Sequence, residues 1–225
     1  MRAYLRVVGL IFRKDFKEEL RRKENLSSSF FFAFLSLVLF NFALDPTLVD
    51  LRETGSGLLW LLVLFAGSIF MGNSFRKETE NGTLQALLLS PADRSAIFLG
   101  KFLVNFCFLA VLEILLWFFA FVLLDLRPGA ALPSLTLVWA LVTVGYAALG
   151  TLFAALIAQV YGGQVLYPIL LFPVLIPLFM AAAALTSKAI SGGDVLHSPW
   201  LSLVVAFDML FFTASLFLFD YAVEE

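Results

Sequence analysis

Six stretches of this chain are apolar at nearly every position, and each approaches or exceeds the roughly 20 residues a helix needs to cross a bilayer. They run over 28–44, 57–75, 97–124, 132–158, 165–187 and 200–219. Runs of this kind predict helices that are apolar all round. The third and fourth are longer than one crossing requires, which predicts tilt or an overhang at the interface.

The segment ahead of the first run has a different period. Tyr4, Leu5, Val8, Ile11, Phe12 and Phe16 recur at helical spacing, while Arg6, Arg13, Lys14 and Lys17 fall mostly elsewhere. Residues 1–24 therefore predict an amphipathic helix lying in the headgroup region rather than a solvated basic tail. The charged start and the missing small-x-small site mark the first run as a retained span, not a cleaved leader.

Charge decides orientation. Arg2, Arg6, Arg13, Lys14, Lys17, Arg21, Arg22 and Lys23 precede the first span, and Arg76, Lys77, Arg94 and Lys101 flank the loop between the second and third. The opposite side carries Arg52, Arg127 and Lys188 alone. This bias places both termini in the cytoplasm, as an even number of spans requires.

The loop between spans two and three is the most structured connection. Asn81-Gly82 supplies the positive-φ geometry that ends an extended second helix. Ser90-Pro91-Ala92-Asp93 predicts the next start, with Ser90 as cap, Pro91 in the first turn and Asp93 completing a capping box. Between them, 83–89 makes about two helical turns with Leu84, Leu87 and Leu88 on one face. Too short to hold alone, it either sinks its leucines into headgroups or inserts them into a groove of a partner. The residues by themselves leave both readings open.

Composition sharpens the picture. Of 225 residues, 61% are hydrophobic, 14% are charged and 26 are Phe, a balance that points to lipid as solvent. No basic patch is interleaved with polar residues, so nucleic acid is excluded as a partner. The lone Cys107 forms no intrachain disulfide. The one Gly-Lys pair, Gly100-Lys101, is followed by Phe102 and lacks the upstream glycine of a phosphate loop, so the chain has no ATP site of that kind. No metal-ligand cluster and no nucleophile–base set appears, which argues against an enzyme. His197, in the loop after span five, reads as solvated rather than as an axial ligand.

Inside the spans, Glu113 and Asp208 are carboxylates at membrane depth, where such groups serve in function or in pairing between helices. Gly150, Ala154 and Ala158 form a small-residue seam. Pro168, Pro173 and Pro177 predict a kinked fifth span with freed carbonyls. Trp60, Trp139 and Trp200 lie near span ends, as interfacial aromatics do, and Trp117 lies deeper.

The run from Phe75 to Pro91, Phe-Arg-x-Glu-x-x-x-Gly-Thr-Leu-x-x-Leu-Leu-Leu-x-Pro, resembles the signature of the membrane subunit of the cytochrome c maturation exporter, the haem exporter protein B (CcmB) family. That family lies within the ABC permeases of the second exporter type. Gly162-Gly163, Leu170-Leu171-Phe172-Pro173 and Ile176-Pro177-Leu178 resemble its fifth span, although Tyr161 stands where some relatives have a basic residue. The resemblance implies one all-α permease domain, 1–225, with 76–96 as the coupling loop. It implies that Glu78, Gly82, Thr83, Leu84, Leu87 and Leu88 dock a separate ATP-binding subunit. A permease homodimer, a haem-handling membrane subunit, a haem chaperone and a bacterial inner membrane are implied likewise. Haem is then a transported or handled ligand, and ATP acts only through the partner. Two other readings stand beside this one: a lipid or drug exporter of the same class, and a proton-coupled carrier using Glu113 and Asp208.

Overall fold

The computed structural model describes residues 2–22, 24–44, 51–75, 78–79, 82, 93–124, 129–158, 160 and 162–222. Its helices are α1 (Arg2–Arg22), α2 (Glu24–Ala43), α3 (Leu51–Met71), α4 (Arg94–Leu123), α5 (Leu132–Ile157), α6 (Gly163–Ile190) and α7 (Pro199–Ala222), with a 3-10 turn at Gly129–Ala131 ahead of α5. The helices α2 to α7 each carry a segment long and apolar enough to span a membrane, and the chain is a multi-pass membrane protein. No strand occurs among the described residues.

α5 is the most enclosed helix, and α2 and α7 are the most exposed. Small residues explain the position of α5. Gly145, Ala147, Ala148, Gly150, Ala154 and Ala155 are all buried, so α6 and α7 approach its backbone closely. The Gly150–Ala154 part of the expected seam is enclosed, whereas Ala158 is half-buried beyond the helix end. The outer surface keeps its apolar character, with Phe31, Phe42, Ile114, Phe118, Met209 and Phe217 exposed where lipid replaces water.

Several local expectations are corrected. α3 stops at Met71, ten residues before Asn81. There the backbone tightens, with the N–H groups of Asn73 and Ser74 donating to the carbonyls of Phe70 (3.3 Å) and Met71 (2.9 Å), and Asn73 Nδ2 taking the carbonyl of Ile69 (2.9 Å). Gly82 does adopt the left-handed φ of 63°. The cap of α4 is Asp93 itself: its extended backbone lets Oδ1 accept from Ser95 N (3.0 Å) and Ser95 Oγ (2.8 Å). Ser90 and Pro91 lie outside the described residues. Pro168, Pro173 and Pro177 all lie inside the single helix α6.

The tryptophans also depart from an interfacial belt. Trp60 is 1% exposed and donates its indole N–H to Thr186 Oγ1 (2.9 Å). Trp117 stacks on Trp139 (centroids 5.0 Å apart) and meets Trp60 edge-on. The three indoles of Trp60, Trp117 and Trp139 converge, the first two buried and Trp139 half-buried, while Trp200 is exposed.

Candidate functional site

The apolar stripe of α1 packs on protein. Val8 is buried, Ile11 lies against Gly100, and Phe16 stacks on Phe108 (5.1 Å). A side chain at position 100 would overlap Ile11, so the glycine permits this crossing. Tyr4 Oη shares a hydrogen bond with Ser95 Oγ (3.0 Å), so contacts advance together along α1 and the first half of α4. Leu5, by contrast, is exposed.

This packing brings Lys14 and Asp15 of α1 beside Lys101 of α4 and the root of the loop that follows α3. Lys101 Nζ donates to Glu78 Oε1 (2.7 Å) and to the Ser74 carbonyl (2.9 Å). It lies 3.1 Å from Asp15 Oδ2. That contact lacks hydrogen-bond geometry, so it is Coulombic only. Lys14 Nζ closes the ring, 3.3 Å from Asp15 Oδ1 and 3.4 Å from Glu78 Oε1. The Phe75 ring sits under the Lys101 ammonium at 4.7 Å.

Burial makes the cluster demanding. The Lys101 side chain is 4% exposed and that of Glu78 6%, so each charge depends on the other. Desolvation by itself would raise the Glu78 carboxyl. The charge and hydrogen bond of Lys101 outweigh it, with Lys14 behind them, and hold the carboxyl below its ordinary value. Burial opposes the charge on Lys14, yet Asp15 and Glu78 together hold its ammonium above the usual value.

The network continues inward. Ser74 Oγ donates to Asn105 Oδ1 (3.3 Å), and Asn105 Nδ2 donates to Thr151 Oγ1 of α5 (2.9 Å), which donates to the Ala147 carbonyl (2.6 Å). Asp15, Ser74, Glu78, Lys101 and Asn105 also line a cavity of about 30 Å³, the scale of a single water.

Of the residues the sequence singles out, Glu78 points into this cluster, and Gly82 is exposed. Thr83, Leu84, Leu87 and Leu88 lie outside the described residues. Asp15, Asn105 and Thr151 carry no motif, and Lys101 enters the sequence reading only as a charge that sets orientation and as half of a Gly-Lys pair.

Glu113 and Asp208 do not meet the cluster or share a bond. Glu113 Oε2 pairs with Thr143 Oγ1 (2.7 Å), and the same hydroxyl pairs with the Trp139 carbonyl (2.6 Å). The Asp208 carboxyl packs against Gly145, and neither oxygen has a hydrogen-bond partner among the described residues. His197 is exposed, its Nδ1 2.6 Å from Asp194 Oδ2. No group of three or more His, Cys, Asp or Glu suited to a metal occurs among the described residues. Chemically, the arrangement holds Ser74 and Glu78 at the loop root against α1, α4 and, through Asn105, α5.

Comparison with known proteins places this architecture. A family model described as CcmB protein matches residues 6–225. A protein named heme exporter protein B from Pseudomonas aeruginosa is 26% identical over 201 residues, covering 89% of this chain and 90% of its own length. One of the same name from Rhodobacter capsulatus is 29% identical over 167 residues, covering 74% and 75%. Another from Escherichia coli K12 is 26% identical over 91 residues, covering 40% and 41%.

Proposed function

The chain belongs to the CcmB family, and on that premise we propose that it is the membrane permease of a haem-export system, driven by a separate ATP-binding subunit. The match across residues 6–225, nearly the whole chain, is the observation that carries this reading. Two copies pair in the inner membrane of a bacterium with both termini in the cytoplasm, where the basic segments lie. Each presents the leucine face of 83–89 to one ATP-binding subunit. Glu78 and Gly82 set the root and the turn of that peg, while Thr83, Leu84, Leu87 and Leu88 enter the partner's groove. Closure of the ATP-binding subunits on nucleotide then displaces the loops and, through them, the spans. The output serves cytochrome c maturation together with a haem-handling membrane subunit and a haem chaperone. The energy drives either haem delivery or release of the loaded chaperone.

The test is co-purification of an ATP-binding subunit with the affinity-tagged chain, alongside the yield of haem-loaded cytochrome c in a strain lacking its own copy. Wild-type chain retains the subunit and restores the yield; Leu84→Asp and Leu87→Asp lose both. Retention of the subunit by both charged variants overturns the docking assignment. Restored export of a lipid or drug with no effect on cytochrome c would move the chain to another exporter of its class.

A further inference from the structure

Resting on that reading, we propose that Lys101, Asn105 and Thr151 are positioning residues that carry displacement of the loop into the membrane core, delivering it to α5. The bonding is continuous from side to side. Asp15 of α1 and Glu78 of the loop converge on Lys101, Lys101 holds the Ser74 carbonyl, Ser74 holds Asn105, and Asn105 holds Thr151. Four pieces of chain are thereby joined: α1, the loop root, α4 and α5.

Three physical points make this a linkage rather than a set of surface contacts. Lys101, Glu78, Asn105 and Thr151 are all buried, so bulk water does not freely replace a bond that opens. Lys101 grips the loop at two points, a side chain and a backbone carbonyl four residues apart, so the root cannot pivot about one contact. The chain ends on α5, the most enclosed of the spans, which packs against α4, α6 and α7. A movement entering at Glu78 reaches every later helix through Thr151. Packed interiors respond to such input by switching between discrete arrangements, not by bending.

The experiment uses the full chain co-expressed with its ATP-binding subunit. Lys101→Met, Lys101→Arg and Thr151→Val are compared for the subunit retained, for ATP hydrolysis by the purified complex in lipid vesicles, and for cytochrome c yield. Lys101→Met and Thr151→Val retain the subunit at wild-type level, while yield per ATP hydrolysed falls about tenfold, the scale of a coupling free energy between sites. Lys101→Arg, which keeps the charge and can reach both carboxylates, restores most of the yield.

Unchanged yield per ATP in both Lys101→Met and Thr151→Val overturns the linkage, as does loss of the subunit in step with loss of yield. Thr151→Val is nearly isosteric, so it decides the matter if Lys101→Met fails to accumulate. A wild-type chain that retains no ATP-binding subunit would instead overturn the underlying function, a distinct result.

Discussion

The Asp208 carboxyl of α7 sits directly over the Cα of Gly145 on α5, so a methyl group at position 145 would overlap Asp208 Oδ1 and press on Leu178 and Phe207. Gly145→Ala is therefore expected to push α7 off α5, at a cost of about 1–3 kcal/mol, the range for overpacking. Thermal unfolding in detergent should show the loss. Asp208→Ala in the same chain should recover part of it by removing the atom that collides. A double variant as unstable as Gly145→Ala alone would show that Asp208 does not set this spacing.

Thr186 is the acceptor for the Trp60 indole. Thr186→Val keeps the shape and leaves that N–H buried without a partner, for an expected loss of about 1–3 kcal/mol. Trp60→Phe in the Thr186→Val background removes the stranded donor, so its additional cost should be smaller than in the wild type. A double-mutant cycle in thermal unfolding measures this, and strict additivity would count against the bond.

The two lysines of the charged cluster differ sharply in exposure, 58% for the Lys14 side chain and 4% for Lys101. Lys14→Met should cost under about 1 kcal/mol, as exposed ion pairs do. Lys101→Met removes the buried cation and leaves Glu78 and Asp15 facing only the exposed Lys14 ammonium from this cluster, and should cost about 3–5 kcal/mol. Equal losses of thermal stability would contradict the burial argument.

Acidity should act on the same cluster. Because the folded-state value of Glu78 is held below the ordinary one, its contribution is complete above the ordinary glutamate value and is lost as pH falls through the lowered value. Lys14, held above its ordinary value, contributes fully below that value, and the contribution is lost as pH rises through the raised one. Stability measured against pH should thus decline at the acid end in the wild type, and less steeply in Glu78→Gln. An identical acid slope in both chains would remove Glu78 from the account.

His197 is exposed beside Asp194, and among the described residues no group of three or more His, Cys, Asp or Glu gathers around it. His197→Ala should leave cytochrome c yield and membrane accumulation unchanged. A large drop in yield at normal accumulation would assign the imidazole a role in haem handling.

The six spans were legible because an apolar helix in lipid needs no partner to identify it: 97–124 became Arg94–Leu123, and 132–158 became Leu132–Ile157. Glu78 was legible only as a member of a resemblance. Its inward-facing carboxyl depends on Lys101, which in the sequence reads as one more positive charge counted for orientation. Tertiary packing converts that charge into a buried anchor, because Gly100 lets α1 close over the same stretch of α4. Trp60 misled for a related reason. Its place near a span end suits headgroup contact, but the ends of neighbouring helices enclose it. The sequence pattern makes Asp93 complete a capping box opened by Ser90, whereas Asp93 itself caps α4.

Phe219, fully enclosed in the last turns of α7, lies 6.1 Å from Phe75 at the loop root and 5.5 Å from Phe98 on α4. The carboxyl-terminal helix is therefore a lid on the gripping point, and shortening it ahead of Phe219 would uncover two rings at once. Reporter fusions placed after Ala222 respect that lid. A fluorophore attached nearby would sense the loop from the far end of the polypeptide.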